Sequence, residues 1–237
     1  MARKVFYADP YARELNAVVT AVDGAWITFD QTLFYPQGGG QPGDRGQLTD
    51  THGNTRTIAD ARKGENGAVV HQMAEAEHGL QPGAAVHMAL DWERRHRHMR
   101  MHTCLHLLGA LIPAGVTGGQ VGADKGRLDF DVSGLDLELD KAELNTRLNA
   151  LIEEGHAVDI EHVDEAVLER QPELVRTMSV QPPRGVGRLR MVRIVDVDYQ
   201  PCGGTHVANT AEIGPVKVSK IQSKGRHNRR VQVVFDE

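Results

Sequence analysis

Two short segments a hundred residues apart, His102-Thr-Cys-Leu-His106 and Cys202-Gly-Gly-Thr-His206, constrain what this chain can fold into more than any other feature. Met99, His102, Leu105, His106 and Leu108 recur at helical spacing, so the first segment reads as part of a helix. Positions i and i+4 lie about 40° apart around a helix axis, with Cβ atoms about 6 Å apart, so the two imidazoles point the same way. In the second segment two glycines make a loop flexible enough to turn a thiol and an imidazole onto one ion. Either segment alone is more often a surface pair or a satisfied core pair. Together they offer nitrogen and sulfur donors of the kind Zn²⁺ takes, and the fold must converge on them.

The pattern also has exclusions. A zinc protease needs Glu directly after the first histidine as general base, and Thr103 stands there. Cys104 sits two residues from each histidine, about 200° away around the helix, and is expected as a small packed residue rather than a ligand.

Residues 1 to about 90 read as β structure. Ala17–Val22 and Ala25–Phe29 are short apolar runs separated by Asp23-Gly24, a hairpin signal. The stretch TLFYPQGGGQPGDRGQL follows, then strand candidates at 54–60, 67–73 and 84–91. Strands at this spacing predict a small antiparallel sheet or barrel. At Asp91 the period changes. Asp91 reads as a helix cap with Glu93 in the first turn, and Pro113 and Gly115 stop the helix. A second helix is expected from Asp140, with Leu144, Leu148, Leu151 and Ile152 on one face, and a third from Asp164 to about Arg170. Strands are expected at 189–197, 216–222 and 230–235. The fold class predicted is α+β: an N-terminal β-barrel domain over 1–90, then an α+β domain over 91–237.

Charge is uneven. The chain has 27 basic and 32 acidic residues, net −5, which argues against nucleic-acid binding through overall charge. Yet no acid occurs from Ile213 to Phe235, a stretch holding Lys217, Lys220, Lys224, Arg226, Arg229 and Arg230, and Arg94, Arg95, Arg97 and Arg100 form a second basic cluster. Local patches of this kind steer polyanions; each also reads as a solvated face. No apolar run reaches the roughly 18 residues of a membrane helix, and the N-terminus lacks the apolar core of a signal peptide. Two cysteines cannot build a disulfide scaffold, so a reducing, cytoplasmic setting is expected, with no membrane and no protein partner implied.

The stretches DWERRHRHMRMHTCLHLL, KGRLDFD and DYQPCGGTHVANTAEIGPVKV resemble the editing domain of alanyl-tRNA synthetase and its free-standing relatives, the AlaX trans-editing proteins. TLFYPQGGGQPGDRG resembles the glycine-rich motif of the longer AlaX forms, which carry a β-barrel before the editing domain. The resemblance covers nearly the whole chain and matches the medium form. It implies zinc at His102, His106, Cys202 and His206, and deacylation of alanine tRNA mischarged with serine, or with glycine. Gln120 falls where the family has a glutamine in its editing pocket, and Ala123 departs from an expected small hydroxyl residue. His98, one turn before the ligand pair, is expected behind the ligands or facing RNA.

The substrate bond is then an activated ester at the 3′ end of the tRNA, needing a placed water and a stabilised oxyanion rather than a covalent nucleophile. Zinc lowers the pKa of a bound water towards about 7 and polarises carbonyls. Four protein ligands instead describe a closed, structural site, and spacing leaves both alternatives open. Gln120 and Thr205 are the candidates for orienting water or substrate. Pockets built around a substrate hydroxyl reject analogues lacking it by roughly 10⁴–10⁵-fold, which suits sparing alanine. Substrate contacts are expected from Gly38, Gly39, Gly40 and Gln41, either as a loop over the pocket or as a tight turn, and from Arg94, Arg95, Lys217, Lys220 and Arg229. The competing readings are a non-catalytic tRNA-binding module with structural zinc, an unrelated zinc hydrolase acting on a small ester or amide, and editing of seryl-tRNA for threonine.

Overall fold

Six antiparallel strands of the N-terminal segment close into a barrel: β1 (Glu14–Asp23), β2 (Trp26–Phe29), β3 (Gly46–Asp50), β4 (Thr55–Lys63), β5 (Val69–Met73) and β6 (Ala85–Leu90). Their order around the barrel is β1-β2-β5-β4-β3-β6. The computed structural model describes residues 2–135, 138–178, 182, 185 and 187–237. Contacts divide the chain into two units, Met1–His96 and Arg97–Glu237. Among the described residues no helix is long and apolar enough to cross a membrane.

Strand alternation explains the barrel. Ala17, Val19, Ile27, Phe29, Leu48, Ile58, Ala61, Val69, Met73, Val86 and Met88 point inward and are buried. Each large apolar side chain so buried contributes about 1.5–3 kcal/mol. Strand β3 does not stand out in the sequence, because only Leu48 in it is buried and glycines crowd its start. One of those glycines is needed for closure. A Cβ on Gly46 would overlap the Ala89 carbonyl of the neighbouring strand β6. The three-glycine run makes a tight turn: Gly38 and Gln41 exchange backbone hydrogen bonds of 3.0 Å, and Gly39 and Gly40 take φ of +57° and +80°. Positive φ at both central positions is the type I′ hairpin pattern.

The buried polar side chains of this unit include His71 and Arg95. His71 is buried on β5 between the edges of Phe29 and Phe34. Its Nε2 lies 2.7 Å from Thr32 Oγ1 and its Nδ1 3.2 Å from the Ile27 carbonyl. Arg95 is fully buried, which overturns its expected role in holding substrate. Its Nε and Nη2 donate to Asp44 Oδ2, its Nη2 to Leu33 O at 2.6 Å, and its Nη1 to Pro10 O at 3.0 Å. The guanidinium is consumed within the barrel unit.

Helix α1 (Trp92–Leu111) follows, with Arg94 N donating to Asp91 Oδ1 at 3.2 Å as the expected cap. The second unit builds a sheet ordered β12-β13-β8-β7 from β7 (Gly115–Gln120), β8 (Lys125–Asp131), β12 (Val216–Ser223) and β13 (Asn228–Phe235). A three-stranded sheet contains β9 (Val158–Asp164), β10 (Arg188–Ile194) and β11 (Asp198–Pro201). Strand β8 lies against α1, since a Cβ on Gly126 would press on Met101 and Leu105. Helix α2 (Lys141–Glu153) starts at Asp140, whose carboxylate accepts from Glu143 N at 2.7 Å, and buries Leu144, Leu148 and Ile152. Its asparagines satisfy edge strand β12: Asn145 Oδ1 accepts from Val218 N at 2.6 Å, and Asn149 bonds both backbone groups of Val216.

Three expectations change. The helix expected over 164–170 is one turn, Val167–Arg170, preceded by β9, whose VDIEHVD alternation is a strand period. The strand expected over 189–197 is a hairpin, broken at Asp196 with φ +63°. Strands β7 and β8 escape the sequence, since glycines and charges dilute their apolar pattern.

Two outcomes follow from the buried polar groups, both read by tryptophan fluorescence in urea, because Trp26 and Trp92 lie in the first unit. Burial pushes His71 down to about 4. Between that value and its ordinary 6.5 only the unfolded chain takes the proton, so stability present above pH 6.5 is lost as the pH falls towards 4. From pH 7 to 4.5 the chain should lose about 2–3 kcal/mol more than a His71→Gln variant. Parallel losses in both proteins would reject this. Arg95→Leu should cost about 3–5 kcal/mol by stranding Asp44, and Arg95→Leu/Asp44→Leu should cost less than the single change.

Candidate metal centre

The donors of His102, His106, Cys202 and His206 all lie within 4.8 Å of one another. Helix α1 supplies the first two, one turn apart. Strand β11 delivers Cys202, and the loop after it delivers His206. Cys202 Sγ lies 3.5 Å from His102 Nε2 and 3.3 Å from His206 Nε2. Zn²⁺ bonds of about 2.0–2.1 Å to nitrogen and 2.3 Å to sulfur put tetrahedral donors about 3.5 Å apart, so the set fits that ion. The three histidines are buried.

The loop is fastened at both ends. Cys202 exchanges bonds with Arg190, whose Nη1 donates to Cys202 O at 2.6 Å. Val207 N donates to Thr103 Oγ1 at 3.3 Å. Beyond it, Asn209 and Glu212 form a capping box on the turn Thr210–Ile213.

Hydrogen bonds also fix the imidazoles. Thr103 Oγ1 donates its one proton to Met99 O at 3.0 Å, so it accepts from His206 Nδ1–H at 3.2 Å. His106 Nδ1 donates to Asp198 Oδ2 at 3.0 Å. Both rings therefore turn the Nε2 lone pair to the cluster. Gln200 Nε2 donates to the same Asp198 oxygen at 2.6 Å. Burial opposes the charge on Asp198, but His106, Gln200 and Arg176 outweigh it and hold the carboxyl below its ordinary value.

The two cysteines differ sharply. Burial pushes the Cys104 thiol up to about 12, and it packs in the core. Burial also opposes the Cys202 thiolate, but His102 and His206 outweigh it and hold Cys202 well below its ordinary value. Gly204 N adds a bond to its sulfur at 3.4 Å. A thiolate is the form that ligates metals.

Comparison with known proteins matches residues 3–94 to the family described as "tRNA synthetases class II (A)" and residues 189–232 to "Threonyl and Alanyl tRNA synthetase second additional domain". The alanyl-tRNA editing protein AlaX-M of Methanosarcina acetivorans is 36% identical, with 98% of each chain covered. That of Saccharolobus solfataricus is 31% identical, again over 98% of each. The chain belongs to the AlaX family. It is also similar to alanine–tRNA ligase of Aeropyrum pernix, 38% identical over 93% of this chain and 25% of the ligase.

Of the residues that AlaX membership and spacing single out, the structure gathers the four donors and leaves others elsewhere. Gln120 is exposed on β7, where Arg127 Nε donates to its Oε1 at 3.3 Å. It faces Arg127 across the ladder and so lies on the sheet face turned from α1. Thr205 is fully buried beside His206. His98 is fully buried. Lys217 and Lys220 are exposed on β12, Arg229 is half-buried on β13, and Arg94 is half-buried in the barrel unit. Gly39 and Gly40 expose the turn tip of that unit, and Gln41 is buried.

Sequence reasoning missed Thr103, Asp198, Gln200 and Arg176. The signal for two of them was present: Asp198, Gln200 and Cys202 alternate in DYQPC, which puts them on one strand face. The chemical contrast between the cysteines is testable. In native protein treated with chelator, a thiol reagent at pH 7 should titrate one cysteine. Cys202→Ala should remove that reaction, and Cys104→Ala should leave it intact. Two reactive thiols in the folded chain would contradict the assignment.

Proposed function

We propose that this AlaX chain is a trans-editing hydrolase that removes serine, and glycine, from mischarged alanine tRNA at the 3′ ester, with Zn²⁺ held by His102, His106, Cys202 and His206. The reading rests above all on one observation: an N₃S donor set with two imidazoles locked in the ligating tautomer, in a chain of this family. A Zn²⁺ ion bound there supplies positive charge that polarises the ester carbonyl.

The chain's own groups do the rest. Asp198 and Thr103 hold the imidazoles, and Cys202 stays a thiolate. We assign recognition of the serine hydroxyl to Thr205, which is buried directly beside the donor His206, because a site built to bond a substrate hydroxyl rejects the analogue lacking it. Lys217, Lys220 and Arg229 are assigned to phosphates of the acceptor end, and the Gly39–Gly40 turn and Arg94 to further contact with the tRNA. Binding by these cations should weaken as salt rises. Gln120, tied to Arg127 on the far sheet face, is left out of the chemistry. We assign the editing reaction to residues 91–237 and tRNA support to 1–90.

The four-donor set supports a second reading, in which the ion only fastens the loop to the helix of a tRNA-binding module. Hydrolysis of seryl-, glycyl- and alanyl-tRNA by the wild type and His102→Ala, with and without chelator, separates the two. Fast serine release, little alanine release and a loss of at least a hundredfold in the folded variant are expected. Equal rates on serine and alanine would remove proofreading. Full activity in a folded, metal-free variant would leave the ion a structural part.

A further inference from the structure

The side chain of Asp198 is fully buried and divides its oxygens between two kinds of partner. Oδ2 takes His106 Nδ1–H at 3.0 Å and Gln200 Nε2–H at 2.6 Å. Oδ1 takes Arg176 Nε–H at 3.1 Å. The Arg176 side chain is 34% exposed, and its Nη1 reaches the Gly109 carbonyl of α1 at 3.4 Å. Its backbone carbonyl is fixed by Val116 N on β7 at 2.9 Å. The line Arg176–Asp198–His106 therefore runs from solvent to a donor of the cluster. Among the described residues His206 has no such line, since its orienting partner Thr103 is a neutral hydroxyl whose proton is used by Met99.

We propose that Asp198 is a positioning residue that sets how tightly the cluster holds its cation, and that Arg176 is the counter-charge that moderates it. The inference rests on the metal-centre reading above and deepens it. A carboxylate bonded to the far nitrogen of a ligating imidazole fixes its tautomer and raises its basicity, while a guanidinium on the other oxygen draws that charge away and repels a divalent ion. The two residues thus act with opposite sign. If they served only to hold strand β11 in place, both losses would weaken binding together.

The test measures Zn²⁺ affinity of the full chain by competition with a chromogenic chelator, for wild type, Asp198→Asn and Arg176→Gln, with far-UV circular dichroism as the control for folding. Asp198→Asn should weaken binding about 10–100-fold. Arg176→Gln should tighten it several-fold. Unchanged affinity in Asp198→Asn, or weaker binding in both variants, would overturn the proposal. Should Asp198→Asn not fold, the direction of the Arg176→Gln change decides alone. A wild type that takes up no stoichiometric Zn²⁺ would instead overturn the metal-centre reading itself, and this inference with it.

Discussion

Everything in the second unit depends on one constraint. Three imidazoles and a thiolate share one small buried volume, and buried polar groups need partners. Helix α1 can offer two of the four because its register puts residues four apart on one side. The other two must come from a loop, so the loop must be held as firmly as the helix. Arg190 at its start and Thr103 at its end do this, and Thr103 belongs to the same helical turn as the ligands. One hydroxyl between His102 and His106 thus joins the distant halves of the centre.

The barrel unit solves a different problem by similar means. Closing six short strands forces backbones together, and Gly46 gives the room that any side chain would fill. A buried arginine then ties together the Leu33 and Pro10 carbonyls and Asp44, groups far apart in sequence. Such an ion pair carries a desolvation penalty that its hydrogen bonds must offset.

The fold class was legible, because period-2 runs before Asp91 and period-3.6 runs after it announce different layers. Strands poor in inward apolar residues were not: β3 has only Leu48, β7 only Val116, and β9 alternates charges with aliphatics. The meeting of the four donors could be read because helix geometry and a flexible Gly-Gly loop leave few other arrangements. Their orienting partners could not be read singly. Aspartate and threonine occur everywhere, and only the fold reveals that Asp198 looks at His106. Arg95 shows the converse. A basic cluster in sequence says nothing about which member turns inward, and the structure buries Arg95.

The sheet of the second unit has two outer strands, and the chain masks part of each itself. On β12 the amides of Asn145 and Asn149 occupy the ladder positions. On β7 a short segment takes them, with Val116 N bonded to Arg176 O and Met178 N to Val116 O. A neighbouring molecule therefore finds these positions already taken, which guards against the edge-to-edge stacking by which exposed sheets grow into fibrils. The segment that shields β7 is also the one that presents Arg176 to Asp198, so protection from self-assembly and tuning of the centre are borne by the same few residues and cannot drift independently.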